Sequence, residues 1–198
     1  MNKIIILLFF VSGARYTAYC QTDLQQCVQS SFYQQDSTLN HADRFMLWTE
    51  CVKEKPAPDF SGKTLKGEKI KMKSLRGKIV VLNLWFIDCL PCIKELPALN
   101  KLVAEYRGNK DVVFISLTWE TKERVEKEFF AKYKLDFEVI PEEMKAVELF
   151  GKPGYPTTFV IGKDGLVKAG FLGGPIDDSA ETEAYRRVKP VLDALLVK

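Results

Sequence analysis

Residues 79–97 read Ile-Val-Val-Leu-Asn-Leu-Trp-Phe-Ile-Asp-Cys-Leu-Pro-Cys-Ile-Lys-Glu-Leu-Pro, and the fold turns on this stretch. Ile79 to Leu84 is an apolar run of strand length, the pattern of a strand covered on both faces. Cys89 and Cys92 follow it, one helical turn apart, a spacing that suits a redox disulfide or half of a metal site. The order strand, CxxC, helix puts Cys89 where the first helical amides lack partners and the helix dipole is positive. That setting favours a thiolate by about 0.3 to 2 kcal/mol, or roughly one pKa unit. Cys89 is therefore the expected attacking sulfur, and Cys92, one turn inward, the expected resolving sulfur. A zinc site needs about four ligands, whereas His41 is the only histidine and the sequence holds no second CxxC, so no metal is expected. A purely structural bridge is the other reading; it sits poorly directly after a buried strand with a proline between the cysteines.

The remaining composition is that of an ordinary globular chain, with 46% apolar and 28% charged residues over 198 positions. A net charge of +3 is too small to argue for a nucleic-acid partner. Residues 1–20 have the form of a targeting leader: Lys3, the apolar run Ile4 to Val11, then small and polar residues through Ala18. The run is too short to span a bilayer, which takes about 20 residues. Cleavage after Cys20 leaves Cys27, Cys51, Cys89 and Cys92, an even set suited to an oxidising compartment; Ser12-Gly13-Ala14 offers an earlier site. A third option is that Cys20 becomes a lipid-bearing first residue, although Tyr19 and Thr17 depart from the usual bacterial lipoprotein pattern. The chain is thus expected to be exported to the periplasm or cell envelope.

Residues 21–55 form a separate unit in the pattern. Leu24, Cys27, Val28 and Phe32 recur at helical spacing, Asp36-Ser37 interrupts, and Phe45, Leu47, Trp48 and Val52 define a second helix. A helical hairpin results, with Cys27 and Cys51 placed to tie its arms, closing a loop of about 25 residues for about 3 kcal/mol; two free buried thiols are the alternative. His41 falls near the turn and is read as a surface residue. Lys53 to Pro58 is a linker into a main domain at 56–198. There, turn signals at Ser61-Gly62-Lys63 and Lys66-Gly67-Glu68 flank a short hairpin. The expected order then runs strand 78–85, helix 90–107, strand 112–118, helix 121–133, strand 136–140 and helix 142–150. Strands Thr157 to Ile161 and Leu166 to Phe171 follow, joined by Gly162-Lys163-Asp164-Gly165, and a helix covers 178–197. Such alternation indicates an α/β sheet with parallel crossovers. The Lys-rich stretch Lys63 to Lys78 alternates with apolar residues, as a solvated strand face does.

Four stretches carry a family resemblance: Ala57-Pro58-Asp59-Phe60; Ser74 to Lys78 leading into Val80 to Trp85; Cys89 to Pro97; and Gly154-Tyr155-Pro156-Thr157-Thr158-Phe159 with its Gly-Lys-Asp-Gly turn. Together they resemble the thioredoxin-like, extracytoplasmic TlpA/ResA-type thiol-disulfide oxidoreductases, which are related to the AhpC/TSA group, over about residues 57–171. The resemblance implies an α/β thioredoxin-like fold, a mixed central sheet flanked by helices, with the helical hairpin as an N-terminal extension outside the match. It makes Cys89 the nucleophile, Cys92 the buried resolving cysteine and Pro156 a cis-proline beside them. A cis X-Pro bond costs only about 0.5 to 1 kcal/mol and leaves backbone free to pair with an extended substrate. Glu95 matches the acid of the family's CxxCxxE pattern, one turn beyond Cys92, where a carboxylate can relay its proton. Trp85, Leu90, Pro91 and Tyr155, which flank the pair and the proline, are the substrate-contact candidates. Pro97 is expected to kink its helix.

This chain also departs from the pattern. Asn83 stands where thioredoxins themselves have a buried aspartate, so Glu95 or solvent must take the proton. Asp88 precedes Cys89 where tryptophan is common, and its charge opposes a thiolate. The expected activity is exchange of protein disulfides outside the cytoplasm, without metal or organic cofactor, as reduction or isomerisation, with cytochrome maturation one setting. Electrons would come from a membrane-embedded thiol reductase. The alternatives are a thiol peroxidase, for which Phe86 and Leu82 replace the peroxiredoxin threonine and proline, and a thioredoxin-fold binding module with an inert bridge.

Overall fold

The computed structural model describes residues 22–33 and 36–197; the expected leader and Cys20 lie outside the described residues. Helices α1 (Asp23–Val28) and α2 (His41–Val52) come first, then a hairpin of β1 (Ser61–Lys63) and β2 (Lys69–Lys71). Strand β3 (Ile79–Leu84) leads into α3 (Leu90–Lys94) and α4 (Leu96–Glu105), followed by β4 (Val112–Leu117) and the short α5 (Lys122–Arg124), which continues in wider π turns to Phe129. Strand β5 (Glu138–Ile140), α6 (Met144–Leu149), β6 (Thr157–Ile161), β7 (Val167–Leu172) and α7 (Ala180–Leu196) complete the chain.

The apolar run is the middle of the sheet. Strand order is β5-β4-β3-β6-β7. β3 pairs parallel with β4 and antiparallel with β6; β4 pairs parallel with β5, and β6 antiparallel with β7. Every residue of β3 is buried, and strand alternation sends its side chains into two cores. Ile79 and Val81, with Trp85 beyond the strand end, meet Leu99 and Leu102 of α4 and Val188 and Leu192 of α7. Val80, Leu82 and Leu84 meet Phe150, Phe159 and the N-terminal helices on the other face. The fold is thioredoxin-like.

The N-terminal hairpin belongs to that second core. Thr22 caps α1 in a box with Gln25, and Asn40 caps α2 in a box with Asp43. Cys27 and Cys51 are bonded, with their Cα atoms 5.6 Å apart. The inward residues Leu24, Trp48 and Val52 are fully buried. α2 lies against β7 at Gly170, where a Cβ would come within 2.8 Å of Val52 and 2.9 Å of Trp48. The glycine is thus an imprint of the tryptophan. The linker is held as well: Glu54 donates its amide to Val167, Val167 donates to Lys55, and Ala57 donates to Gly165. These bonds cover the start of the outer edge of β7.

Three local expectations change. Ser61-Gly62-Lys63 is strand β1 rather than a turn, because it pairs in register with Lys69–Lys71. Trp48 and its neighbours dock on the sheet instead of forming a unit apart. The helix expected over 90–107 is two helices divided at Glu95, whose φ and ψ are −84° and −7°. Pro97 explains the division: it cannot donate to the carbonyl four residues back, so it occupies the first turn of a new helix, where no donor is needed.

Candidate active site

Cys89 is the N-cap of α3, and the Cys92 amide donates to its Sγ at 3.3 Å. The two sulfurs are bonded to each other. Each cysteine residue is only 4% exposed, so burial does not distinguish the two sulfurs; the amide of the turn points at Cys89 Sγ. The division at Glu95 leaves α3 with five residues, so this amide, more than a long helix dipole, is what a thiolate at Cys89 would feel. The Tyr155–Pro156 bond is cis. Leu90 is 52% exposed beside Cys89.

Glu95, at the division between α3 and α4, turns inward. Asn83 Nδ2, from the end of β3, donates to Glu95 Oε1 at 3.0 Å and to Thr158 Oγ1 at 3.0 Å. Burial pushes the Glu95 carboxyl up to about 8, opposed by the Asn83 hydrogen bond and the positive field of Arg187. Near-neutral acidity at a buried carboxyl, three residues from Cys92, matches the ordinary range of a thiol. Glu95 also floors a small cavity with Pro156, Thr158, Gly173 and Arg187, with free space of the order of one water.

Two sequence expectations are altered by their surroundings. Trp85 is 2% exposed and packs its ring 4.2 Å from Phe129, so it belongs to the core. Its place one residue past β3, in phase with Ile79 and Val81, is the signal for that burial. Asp88 has an 81% exposed side chain and sits 3.7 Å from the Arg124 guanidinium, so its charge is partly answered. Pro91 and Tyr155 are half-buried.

The structure adds Trp119 and Glu120, which sequence reading passed over, and groups them with Phe86, Ile87 and Tyr155. Phe86 stacks on Trp119 at 5.1 Å, and Tyr155 meets both rings edge-on. Glu120 is buried in the loop after β4 and accepts the Ile87 amide at 3.3 Å. Trp119 and Glu120 come from the loop after β4, where nothing local distinguishes them from surface positions; Phe86 follows β3.

The AhpC/TSA family model matches residues 54–169. The thiol-disulfide oxidoreductase ResA of Bacillus thuringiensis (strain Al Hakam) is 38% identical over 64% of this chain and 73% of its own length. The thioredoxin-like protein YneN of Bacillus subtilis (strain 168) is 36% identical over 59% of this chain and 69% of its own. Among solved structures, a secreted Mycobacterium tuberculosis disulfide oxidoreductase homologous to E. coli DsbE superposes with a TM-score of 0.54 at 25% identity, covering 66% of this chain and 95% of that one. The sheet order, the paired cysteines at its centre and these likenesses agree: the chain belongs to the AhpC/TSA family, among its thiol-disulfide oxidoreductases.

Proposed function

We propose that the protein exchanges disulfides of other proteins outside the cytoplasm, with Cys89 attacking, Cys92 resolving and Glu95 handling the proton of Cys92. In the reducing direction the Cys89 thiolate attacks one sulfur of a substrate disulfide, forming a mixed disulfide and releasing the other sulfur as a thiolate. Cys92 gives its proton to Glu95 in its ionised form, the minor one below about pH 8, and attacks Cys89; the second substrate thiolate leaves, and two electrons have passed from the dithiol to the substrate. Isomerisation is the same first step, reversed against a different sulfur. Re-reduction requires an external dithiol, which in the TlpA/ResA-type pattern is a membrane-embedded thiol reductase. Neither metal nor organic cofactor enters this scheme.

The observation that carries the reading is the buried Glu95 carboxyl, three residues after Cys92, held by Asn83 and lining one cavity with the cis-proline Pro156. An inert bridge has no use for a proton acceptor of matched acidity. Export is supported by the leader-like residues 1–20 and by the second, hairpin disulfide; among the described residues, no helix is long and apolar enough to cross a membrane. A cytochrome-maturation substrate is the narrower form of the proposal, in keeping with the ResA likeness. Reduction of insulin disulfides by dithiothreitol, with the protein as catalyst, tests the mechanism: Cys89→Ser should abolish the acceleration, and full acceleration in that variant would sink it. A Cys92→Ser variant should hold its substrates as mixed disulfides, and their identification by mass spectrometry would separate one haem-protein substrate from many unrelated ones.

A further inference from the structure

Beside the cysteine pair stands a charge cluster built around one guanidinium. Arg124 Nη1 lies 2.5 Å from Glu120 Oε2. Its Nε and Nη2 form a fork on Glu128 at 3.2 and 3.1 Å. Nη2 also faces Asp88 Oδ2 at 3.7 Å. Glu120, itself buried, reaches with its other oxygen to the backbone amide of Ile87. One cation is thus pinned by its neighbours onto the two residues that lead into Cys89, and one of those residues carries a negative charge.

We infer that Arg124 is a positioning residue for the exchange reaction: held by Glu120 and Glu128, it offsets part of the Asp88 charge and so preserves the acidity of the Cys89 thiol. The geometry argues for it in two ways. A free surface arginine spreads over many rotamers, whereas this one is fixed by a fork and a second carboxylate, so its charge stays opposite Asp88. Asp88 adjoins the sulfur that must ionise, and a carboxylate there disfavours a thiolate unless a cation answers it. The other charged groups around the sulfur are Glu95 behind it, with Arg187 of α7, and Lys94 on α3; Lys132 acts on Glu128 from beyond the cluster. None of them is paired with Asp88 among the described residues.

The inference rests on Cys89 being the attacking thiol, and the test keeps the two apart. In the full chain, reduced and reacted with iodoacetamide across pH 4 to 10, peptide mass spectrometry follows Cys89 and Cys92 separately. Arg124→Gln should raise the apparent pKa of Cys89 by about half a unit, a threefold loss of thiolate on the acid side. Asp88→Asn should lower it, the double variant should return close to the unaltered protein, and Arg124→Lys, which keeps the cation, should rescue most of the shift. No shift in Arg124→Gln, or an equal shift with and without Asp88, overturns the inference. Should Arg124→Gln fail to fold, Asp88→Asn and the exposed Glu128→Gln carry the test, and an unchanged pKa in both overturns it. Faster alkylation of Cys92 than Cys89 in the unaltered protein would instead refute the assignment of the attacking sulfur.

Discussion

Replacing Glu95 by glutamine should change how stability depends on pH, and the structure sets both the sign and the size. The folded protein holds the Glu95 proton with a pKa near 8, against 4.5 for an unperturbed glutamate. Between those values the folded protein keeps a proton that the unfolded chain has released, so acid favours folding. The contribution is full below about pH 4.5 and is lost as pH rises through about 8. At about 1.4 kcal/mol per unit, a rise from pH 5 to pH 9 crosses about three units of this window and costs up to about 4 kcal/mol. Glutamine has the same shape, can still accept from Asn83 through its carbonyl, and does not ionise. Urea unfolding of the oxidised protein isolates the effect, because Cys89 and Cys92 do not titrate while bonded to each other. The variant should match the unaltered protein at pH 5 and exceed it by about 2 to 4 kcal/mol at pH 9. A difference between the two proteins that stays within about 0.5 kcal/mol from pH 5 to 9 would refute a buried, proton-holding Glu95.

Three further outcomes follow from the packing. Gly170→Ala forces a methyl into Trp48 and Val52, and should cost about 1 to 3 kcal/mol with a shift in tryptophan emission; an unchanged melting temperature and spectrum would mean that α2 does not lie on β7. Replacing Cys27 and Cys51 together by serine should cost about 3 kcal/mol for a bridge spanning 24 residues, while leaving the initial rate of insulin reduction within about twofold; a tenfold loss would tie the hairpin to the chemistry. Trp119→Ala removes the ring that stacks on Phe86 beside the pair and should raise KM for protein disulfides more than for a small disulfide such as oxidised glutathione, an equal effect on both arguing against a substrate-facing surface.

What the sequence makes legible here is local, and what it hides is long-range. β3, β6 and β7 lie within a residue or so of their expected bounds, because an unbroken apolar run and a Gly-Lys-Asp-Gly turn are signals complete in themselves. The CxxC turn and the proline strand could be read in the same way. The landing place of the hairpin could not: Leu24 and Trp48 announce an apolar face without naming its partner, and the one clue, a glycine inside β7, tells of a close approach without telling of what. Arg124 and Glu128, four apart, look like an ordinary surface pair. Only the loop after β4, folded back beside Ile87, turns them toward Asp88. The burial of Trp85, by contrast, is legible, since the two-residue period puts it with Val81 in the core.

The docking of the hairpin on β7 and α6 also has a consequence for the order in which the molecule is assembled. The first helices to be made are laid against Val147, Phe150, Phe159 and Gly170, which are among the last residues to arrive. Until then the hairpin has little to lie on, and isolated helices of six and twelve residues are marginal in water. Cys27, Cys51, Cys89 and Cys92 are then exposed on one unfinished chain, where a wrong partner is as accessible as the right one. Cys27 and Cys51 lie 24 residues apart, nearer to each other than either is to Cys89 or Cys92, and the shorter loop closes sooner than a mispaired one. An early bond between them would remove both from competition with Cys89 and Cys92 before the sheet is complete, and the hairpin would reach its seat already closed.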